Sequence, residues 1–304
     1  MAANQTITYL TRRFREVGIQ PKTMHGQNFL IDLNLLRMLA DAPQIDKRDV
    51  VLEVGTGTGS LTAQLAERAA HVVTVEIDRQ MHQLASEELI EFDNVTLLSM
   101  DALKGKNHMN PAVLDEVRKQ LAVDPQRRFK LVANLPYSVA TPILSNLLIS
   151  DPIPVSMTVT IQKELADRIC AEPSTRDYSA LSIWMQSQCT AEIVRIMGPT
   201  VFWPRPKVHS AIIQITYQPE LRARVADLTF FHETVRALFC HRRKFLRSVM
   251  VSVMKDRLTK PQVDEVVAEM EFTENTRAEE LDVPTLIKLC EVLRRKVSEC
   301  AATV

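Results

Sequence analysis

The chain has 304 residues, of which 46% are hydrophobic and 24% are charged, and its formal net charge is zero. This length allows one large domain or two ordinary ones with a real core, as expected of a soluble globular protein. No apolar stretch reaches the roughly 18 residues of a membrane helix, no apolar segment near the N-terminus marks a secretory signal, and zero net charge gives no overall attraction to nucleic acid.

The cysteines and histidines show no pattern of a covalent or metal-stabilised scaffold. Five cysteines are scattered without a CxxC pair, and seven histidines have no ligand spacing. This pattern indicates reduced thiols and predicts neither a disulfide framework nor a metal site. We therefore expect a cytoplasmic protein without a metal.

Residues from about 50 to 165 alternate short apolar runs with helical patterns. The runs are VVLEV, HVVTVEI, VTLLSM, FKLVANL and PVSMTVTIQ, and between them lie SLTAQLAERAA, RQMHQLASEEL and TPILSNLLIS. Strands without polar alternation, separated by crossover helices, predict a parallel sheet covered on both faces, in the α/β class.

The rest of the chain adds an insertion, two strands and a helical end. The insertion NPAVLDEVRKQLAVD is helical in pattern, AEIVRIM and SAIIQITYQ are predicted strands, and after QPELRARVADL the pattern is wholly helical. We therefore predict an α/β domain over residues 1–218 and a smaller all-α domain over residues 219–304.

Three successive predicted strands end in groups suited to an adenosine-containing ligand. The first runs into a GxGxG turn that includes Gly55 and Gly57 and allows close backbone approach to a ligand. The second ends in Glu76, which could accept both ribose hydroxyls, and the third in Asp101, which could accept from an exocyclic amine. The spacing is not GxGxxG and no phosphate-binding lysine follows, which favours S-adenosylmethionine over NAD or ATP. The alternative is a glycine-rich turn without a ligand, next to ordinary helix caps.

The fourth predicted strand ends in the tetrapeptide NLPY, residues 134–137. An exocyclic amine of a base is a poor nucleophile, and two hydrogen-bond acceptors can draw it toward a tetrahedral form. The side-chain oxygen of Asn134 and the carbonyl of Leu135 can serve, with Pro136 biasing Leu135 toward an extended backbone. Tyr137 offers a face for stacking on a flat base. The alternative is an ordinary edge turn.

These motifs resemble those of the ribosomal RNA adenine N6,N6-dimethyltransferases. Besides NLPY, the similar segments are GQNFL at Gly26–Leu30, EVGTGTGSLT, VEID, MDAL, VFWPRPKVHSAIIQI, FCHRRKFLRSVM and RAEELDVPTLIKL. The resemblance spans almost the whole chain. It implies a Rossmann-like class I methyltransferase sheet that uses S-adenosylmethionine, followed by a helical RNA-binding domain.

The resemblance also implies roles for individual residues. The cofactor would be bound by Gln27, Asn28, Leu30, Gly55, Gly57, Glu76, Ile77, Asp101, Ala102 and Asn134. The catalytic set would be Asn134, Leu135, Pro136, Tyr137 and Phe202. Phe202 would stack on the flipped adenine from the side opposite Tyr137; without the family, its sequence context is that of a core residue or a turn.

A basic cluster in the C-terminal region is predicted to bind RNA phosphates. The cluster comprises Arg242, Arg243, Lys244 and Arg247, and Lys207 of the preceding domain is a further predicted RNA contact. Helical spacing would place Arg243 and Lys244 beside Arg247 on one helix face, with a buried side formed by Phe239, Phe245, Leu246 and Val249. The alternative is a solvated helix face partly paired with the acidic segment that follows.

The resemblance implies that the protein is an enzyme that dimethylates N6 of two adjacent adenosines near the 3′ end of 16S rRNA. Its partner would be the small ribosomal subunit, with a role in subunit maturation, and we expect a monomer. One alternative is a methyltransferase acting on large-subunit rRNA, of the resistance type, or on DNA adenine. The other is a ribosome-assembly or transcription factor that keeps the fold without the chemistry.

Overall fold

The computed structural model describes residues 7–16, 28–105 and 108–301. Gln27, predicted to bind the cofactor, lies outside these residues. The described strands are β1 (Phe29–Leu30), β2 (Asp49–Val54), β3 (His71–Glu76), β4 (Val95–Ser99), β5 (Arg128–Asn134), β6 (Ser156–Gln162), β7 (Cys189–Met197), β8 (Phe202–Trp203) and β9 (Ser210–Tyr217).

The described helices alternate with the strands in the first half of the chain and follow one another in the second. They are α1 (Ile7–Glu16), α2 (Leu33–Asp41), α3 (Ser60–Arg68), α4 (Arg79–Glu88), α5 (Pro111–Leu121), α6 (Tyr137–Leu147), α7 (Lys163–Ile169), α8 (Ala180–Gln186), α9 (Pro219–Arg222), α10 (Leu228–Phe239), α11 (Leu246–Val253), α12 (Lys260–Glu269) and α13 (Val283–Ala301).

Seven strands form one sheet in the order β4-β3-β2-β5-β6-β9-β7. The pairs from β4 to β6 are parallel, and β9 joins β6 antiparallel. The predicted α/β class with a Rossmann-like parallel sheet is confirmed. Because parallel strands end at the same edge, the groups that follow β2, β3, β4 and β5 lie close together.

Local sequence explains where two of the helices that flank this edge begin. The Asp32 carboxylate accepts hydrogen bonds from the first-turn amides of α2, and Asp78 does the same for α4. Such capping satisfies amides that have no partner within the helix. Leu36 and Leu39 of α2 then pack with Leu65 of α3 in a buried cluster that includes Val51 of β2.

The end of the sheet at which β2 and β5 begin, opposite to the cavity-forming end, holds a buried ion cluster. Asp49 is fully buried and its carboxylate accepts from Lys130 Nζ at 2.9 Å and from Arg128 Nε at 2.9 Å. Lys130, 6% exposed, also donates to the carbonyls of Pro43 and Gln44. Every hydrogen of this ammonium group therefore has an acceptor.

The contacts within the chain divide it into two compact units. The first consists of residues 1–166 and 191–217, and the second of residues 167–190 and 218–304. Residues 167–190, which we expected in the α/β domain, thus group with the helical end of the chain. Tyr178 illustrates the cause, because its hydroxyl donates to the carbonyl of Leu281 and its ring is fully buried in the helical cluster.

The basic cluster lies mostly in a turn, which corrects the predicted helix face. Helix α10 ends at Phe239 and α11 begins at Leu246, so Arg242, Arg243 and Lys244 connect the two helices. Within this turn the Lys244 amide donates to the carbonyl of His241 at 2.8 Å, and just after it the Leu246 amide donates to the carbonyl of Thr276.

The predicted buried side of this segment is confirmed in part. Leu246 and Val249 are buried, and Phe239 packs partly buried against the same cluster. The prediction was wrong for Phe245, whose ring is 46% exposed with the Arg277 guanidinium 5.7 Å from its centre.

Candidate active site

A cavity of about 200 Å³ opens where β2, β3, β4 and β5 end. Its lining brings together every described residue that we predicted to bind the cofactor, and two of the catalytic residues beside Asn134. These are Asn28, Leu30, Gly55, Gly57, Glu76, Ile77, Asp101, Ala102, Asn134, Leu135 and Pro136.

The glycine turn has a backbone that other residues would strain. Gly55 and Gly57 have φ angles of +87° and +57°. A Cβ on Gly57 would lie 3.1 Å from Cε1 of Phe29, and a Cβ on Gly55 would lie 3.4 Å from Cδ of Pro136. The turn is therefore packed between β1 and the NLPY segment, which brings peptide groups to the cavity wall.

Glu76 lies at the end of β3 with its carboxylate held by two backbone amides. Gly57 N donates to one oxygen and Asp78 N to the other, both at 2.9 Å. Burial raises the pKa of this carboxyl, whereas backbone hydrogen bonds from Asp78, Gly57 and Ile77 oppose the rise. The side chain is 5% exposed, so its remaining acceptor positions face the cavity it lines.

Asp101 and Ala102 follow β4 at the next position along the sheet edge. The Asp101 carboxylate accepts from Leu103 N at 2.9 Å, and Asn110 Nδ2 donates to the Asp101 carbonyl at 2.9 Å. The side chain of Asp101 is exposed while Ala102 is buried. This arrangement leaves acceptor positions on the Asp101 carboxylate for a ligand amine.

The NLPY segment is fixed by two hydrogen bonds and by the backbone conformation of Pro136. Asn134 Nδ2 donates to the Asn28 carbonyl at 2.8 Å, and Leu135 N donates to the Thr160 carbonyl at 3.2 Å. Pro136, with φ −58° and ψ 128°, is the N-cap of α6. Because the amide nitrogen of Asn134 is already a donor to protein, its oxygen is the atom that can accept from a substrate amine.

Two predicted catalytic residues do not reach the cavity. Tyr137 is half-buried and its hydroxyl lies 2.5 Å from Ser210 Oγ, so its stacking role stays a prediction. Phe202 is 2% exposed and belongs to the same buried cluster as Leu36 and Leu39, because β8 pairs with β1 and sets Phe202 opposite Leu30. The structure therefore places Phe202 in a buried cluster, as its sequence context alone indicated, and its stacking on a base stays a prediction.

Sequence reasoning missed Glu53 as part of the site. Glu53 is 1% exposed and lines the cavity, and its Oε2 accepts from Thr62 Oγ1 at 2.5 Å and from Thr74 Oγ1 at 2.6 Å. Burial raises the pKa of this carboxyl to about 8. The available signal was an acid inside an apolar strand, one residue before β2 ends at Val54.

The charges around the cavity restrict what it can bind. Glu53, Glu76 and Asp101 line it, and its described lining includes no lysine, arginine or histidine. Such a site suits a ligand rich in hydrogen-bond donors and positive charge, and it lacks a cation to pair with phosphate. S-adenosylmethionine, with two hydroxyls, an adenine amine, an ammonium and a sulfonium, fits these residues, whereas a nucleotide phosphate does not.

The sheet and this cavity define a class I S-adenosylmethionine-dependent methyltransferase. The family model for ribosomal RNA adenine dimethylase matches residues 18–289. The chain therefore belongs to the ribosomal RNA adenine dimethylase family, and it is an enzyme of that family whose methyl donor is S-adenosylmethionine.

Known proteins similar to this chain agree with the family. A protein of Listeria innocua named ribosomal RNA small subunit methyltransferase A is 40% identical over 293 residues, covering 95% of this chain and 96% of the relative. A protein of the same name from Streptococcus gordonii is 38% identical over 281 residues, 91% of this chain and 93% of the relative.

Solved structures show the same fold at lower identity. The crystal structure of a dimethyladenosine transferase from Plasmodium falciparum aligns with a TM-score of 0.74 and 23% identity, over 87% of this chain and 97% of that one. The 23S rRNA methyltransferase ErmE aligns with a TM-score of 0.61 and 21% identity, over 88% of this chain and all of that one (100%).

Replacing Glu76 tests its position at the ribose end of the site. We expect Glu76→Ala to weaken S-adenosylmethionine binding by about 1.5–3 kcal/mol, because the ribose hydroxyls lose a charged acceptor. Isothermal titration calorimetry measures this loss directly. Glu116→Ala, an acid on α5 outside the described lining, serves as the control and should bind like the wild type. Equal affinity of wild type and Glu76→Ala would remove Glu76 from the site.

Proposed function

We propose that this protein dimethylates N6 of two adjacent adenosines near the 3′ end of 16S rRNA, acting as a monomer on the small ribosomal subunit during its maturation in the cytoplasm. The observation that carries the proposal is the Asn134 amide, which is fixed by the Asn28 carbonyl at the edge of an acid-lined cavity. The names of the relatives from Listeria and Streptococcus support the small subunit as substrate.

The chain's own residues explain how an unreactive amine could be used. When bound, S-adenosylmethionine supplies a methyl group on a sulfonium centre. The Asn134 side-chain oxygen and the Leu135 carbonyl accept hydrogen bonds from the adenine N6 and stabilise the positive charge that develops there. The Leu135 peptide is oriented by its bond to Thr160 and by Pro136. The amine proton leaves to solvent after transfer, and no covalent bond to the protein forms.

Methylation of purified subunits tests the substrate. The protein is incubated with labelled S-adenosylmethionine and undermethylated small subunits, and in parallel with large subunits and DNA. The proposal predicts four labelled methyl groups per small subunit, two on each of two adjacent adenosines. Label on large-subunit RNA or DNA alone would assign the alternative substrate, and no label with intact binding would indicate a non-catalytic factor.

Among the residues that the structure describes, no helix is long and apolar enough to cross a membrane. In the same residues, no cluster of histidine, cysteine, aspartate or glutamate could hold a metal ion.

RNA binding is proposed to rest on only part of the predicted basic cluster. Arg242 donates to the carbonyls of Tyr178 and Arg176 and pairs with Glu279 at 3.4 Å, so it stabilises its own unit. Arg247 is paired with Asp264, with Nε 2.6 Å from Oδ1 and Nη2 3.0 Å from Oδ2.

Three exposed cations are left for phosphate binding. Arg243, Lys244 and Lys207 are exposed, and no ion pair is found for them within residues 7–16, 28–105 and 108–301. We therefore propose that Arg243 and Lys244 contact phosphates, with Lys207 as a further contact. Arg242 and Arg247 are left out of the proposed RNA surface.

The salt dependence of subunit binding tests whether Arg243 and Lys244 contact phosphates. Each phosphate contact contributes about −0.7 to −0.9 to the slope of log affinity against log salt. Arg243→Ala with Lys244→Ala should flatten the slope by about 1.4 to 1.8 without changing cofactor affinity. The matched control removes the same charge from Arg295 and Lys296, which already pair with Glu269 and Glu265, and should leave the slope unchanged. Equal slopes of log affinity against log salt for all three proteins would mean that Arg243 and Lys244 contact solvent and not phosphates.

A further inference from the structure

Glu53 is the acid of the cavity that the proposed reaction does not use. It lies at the centre of the sheet on β2, in register with Thr74 of β3. Its Oε2 accepts from Thr62 of α3 and from Thr74, and the Thr74 hydroxyl lies 2.6 Å from that of Thr56 in the glycine turn. A hydrogen-bonded chain thus connects the carboxyl to the turn that contacts the cofactor.

The second carboxyl oxygen of Glu53 is not used in the hydrogen bonds to the two threonines. Oε1 accepts no hydrogen bond from the residues that the structure describes, and Glu53 lines the cavity. The groups that face it from the neighbouring elements are the hydroxyls of Thr62 and Thr74 and the carboxyl of Glu76. The described lining holds no cation, so among the described residues an ionised Glu53 is stabilised by these two hydroxyls.

A cationic ligand changes this balance. S-adenosylmethionine carries a positive sulfonium, and the product left after transfer, S-adenosylhomocysteine, has a neutral thioether in its place. A positive charge brought into the cavity favours the ionised carboxyl, and the neutral product does not. Burial and the nearby Glu76 carboxyl hold the pKa of Glu53 near 8 before any ligand binds.

We propose that Glu53 is protonated in the free enzyme, releases its proton to solvent when S-adenosylmethionine binds, and thereby selects the charged methyl donor over its neutral product. This role rests on the proposed use of the cavity for the cofactor. It makes Glu53 a specificity-determining residue that takes its proton back when the sulfur becomes neutral. The exchange is a simple acid dissociation, with the proton passing to and from the buffer.

Calorimetry at pH 7 in buffers of different ionisation enthalpy tests proton release in the wild type. We expect S-adenosylmethionine to release about one more proton than S-adenosylhomocysteine, by linkage to a group that is mostly protonated beforehand. The ratio of the two affinities should rise about tenfold between pH 6 and pH 7 in favour of S-adenosylmethionine. The two ligands share their adenosine, ammonium and carboxylate groups, so the ratio removes every contribution that is equal in the two complexes.

Two variants assign the effect to Glu53. Glu53→Gln keeps an acceptor for both threonines but cannot ionise, so the affinity ratio should become independent of pH. Asp101→Asn, the same chemical change in the same cavity, should weaken both ligands and keep the pH dependence of their ratio. If Glu53→Gln fails to fold, the proposal is tested by the difference in proton release between the two ligands in the wild type, together with the pH dependence of their affinity ratio in Asp101→Asn.

Three results would be decisive against the role of Glu53. They are equal proton release for the two ligands, an affinity ratio that does not vary with pH in the wild type, and an unchanged pH dependence in Glu53→Gln. Each would leave Glu53 as an anchor for Thr62 and Thr74 only. Failure of both ligands to bind any variant or the wild type would instead overturn the proposed function, so the two failures are distinguishable.

Discussion

Asn134→Ala is expected to lower the turnover number for adenine methylation about 100-fold or more, because one of two preorganised acceptors on the target amine is lost. The structure adds a second consequence. The Asn134 amide also donates to the Asn28 carbonyl at the cavity wall, so cofactor affinity should fall by a few-fold at most. Single-turnover kinetics with saturating cofactor separate the two effects.

A matched asparagine outside the cavity controls for loss of packing. Asn94 donates through Nδ2 to the carbonyls of Ala66 and Ala69, as Asn134 does to that of Asn28. Asn94→Ala should therefore affect stability and leave turnover near the wild-type value. A turnover for Asn134→Ala within about threefold of the wild type would contradict the role of its amide oxygen.

Asp49→Ala is expected to destabilise the protein by about 3–5 kcal/mol, because it leaves the buried Lys130 ammonium without its counter-charge. Asp49 is fully buried, and Lys130 is only 6% exposed. Chemical denaturation followed by circular dichroism gives the change in the free energy of unfolding. The cofactor site lies at the opposite edge of the sheet, so the folded fraction should bind S-adenosylmethionine normally.

Two further variants test whether the unpaired Lys130 ammonium causes the destabilisation by Asp49→Ala. Asp49→Ala combined with Lys130→Met should be more stable than Asp49→Ala alone, since no uncompensated ammonium remains. Asp115→Ala removes an acid that is 68% exposed and pairs with Arg118 on α5, and it should cost less than about 1 kcal/mol. If Asp49→Ala and Asp115→Ala lower the free energy of unfolding by similar amounts, burial does not increase the contribution of the Asp49–Lys130 pair to stability.

The cavity was predictable to a large extent from sequence because its parts are local. A positive φ favours glycine at Gly55 and Gly57, and an apolar run followed by a polar group marks the end of a buried strand. Parallel topology then brings the ends of β2 to β5 to one edge, which is why Glu76, Asp101 and Asn134 meet. Glu53 was missed because it stands inside an apolar run, and the strand pattern does not show which side chain of the run borders a cavity.

The sequence by itself determined the order of strands and helices in the first unit, the glycine turn and the acids that follow β3 and β4. These follow from periodicity and backbone preference, which act over a few residues. Only the tertiary structure decided that residues 167–190 belong with the helical unit. It also decided that Arg242 and Arg247 are already satisfied, by Glu279 and Asp264. Burial and ion pairing depend on groups brought together from distant parts of the chain, and no local pattern records which groups those are.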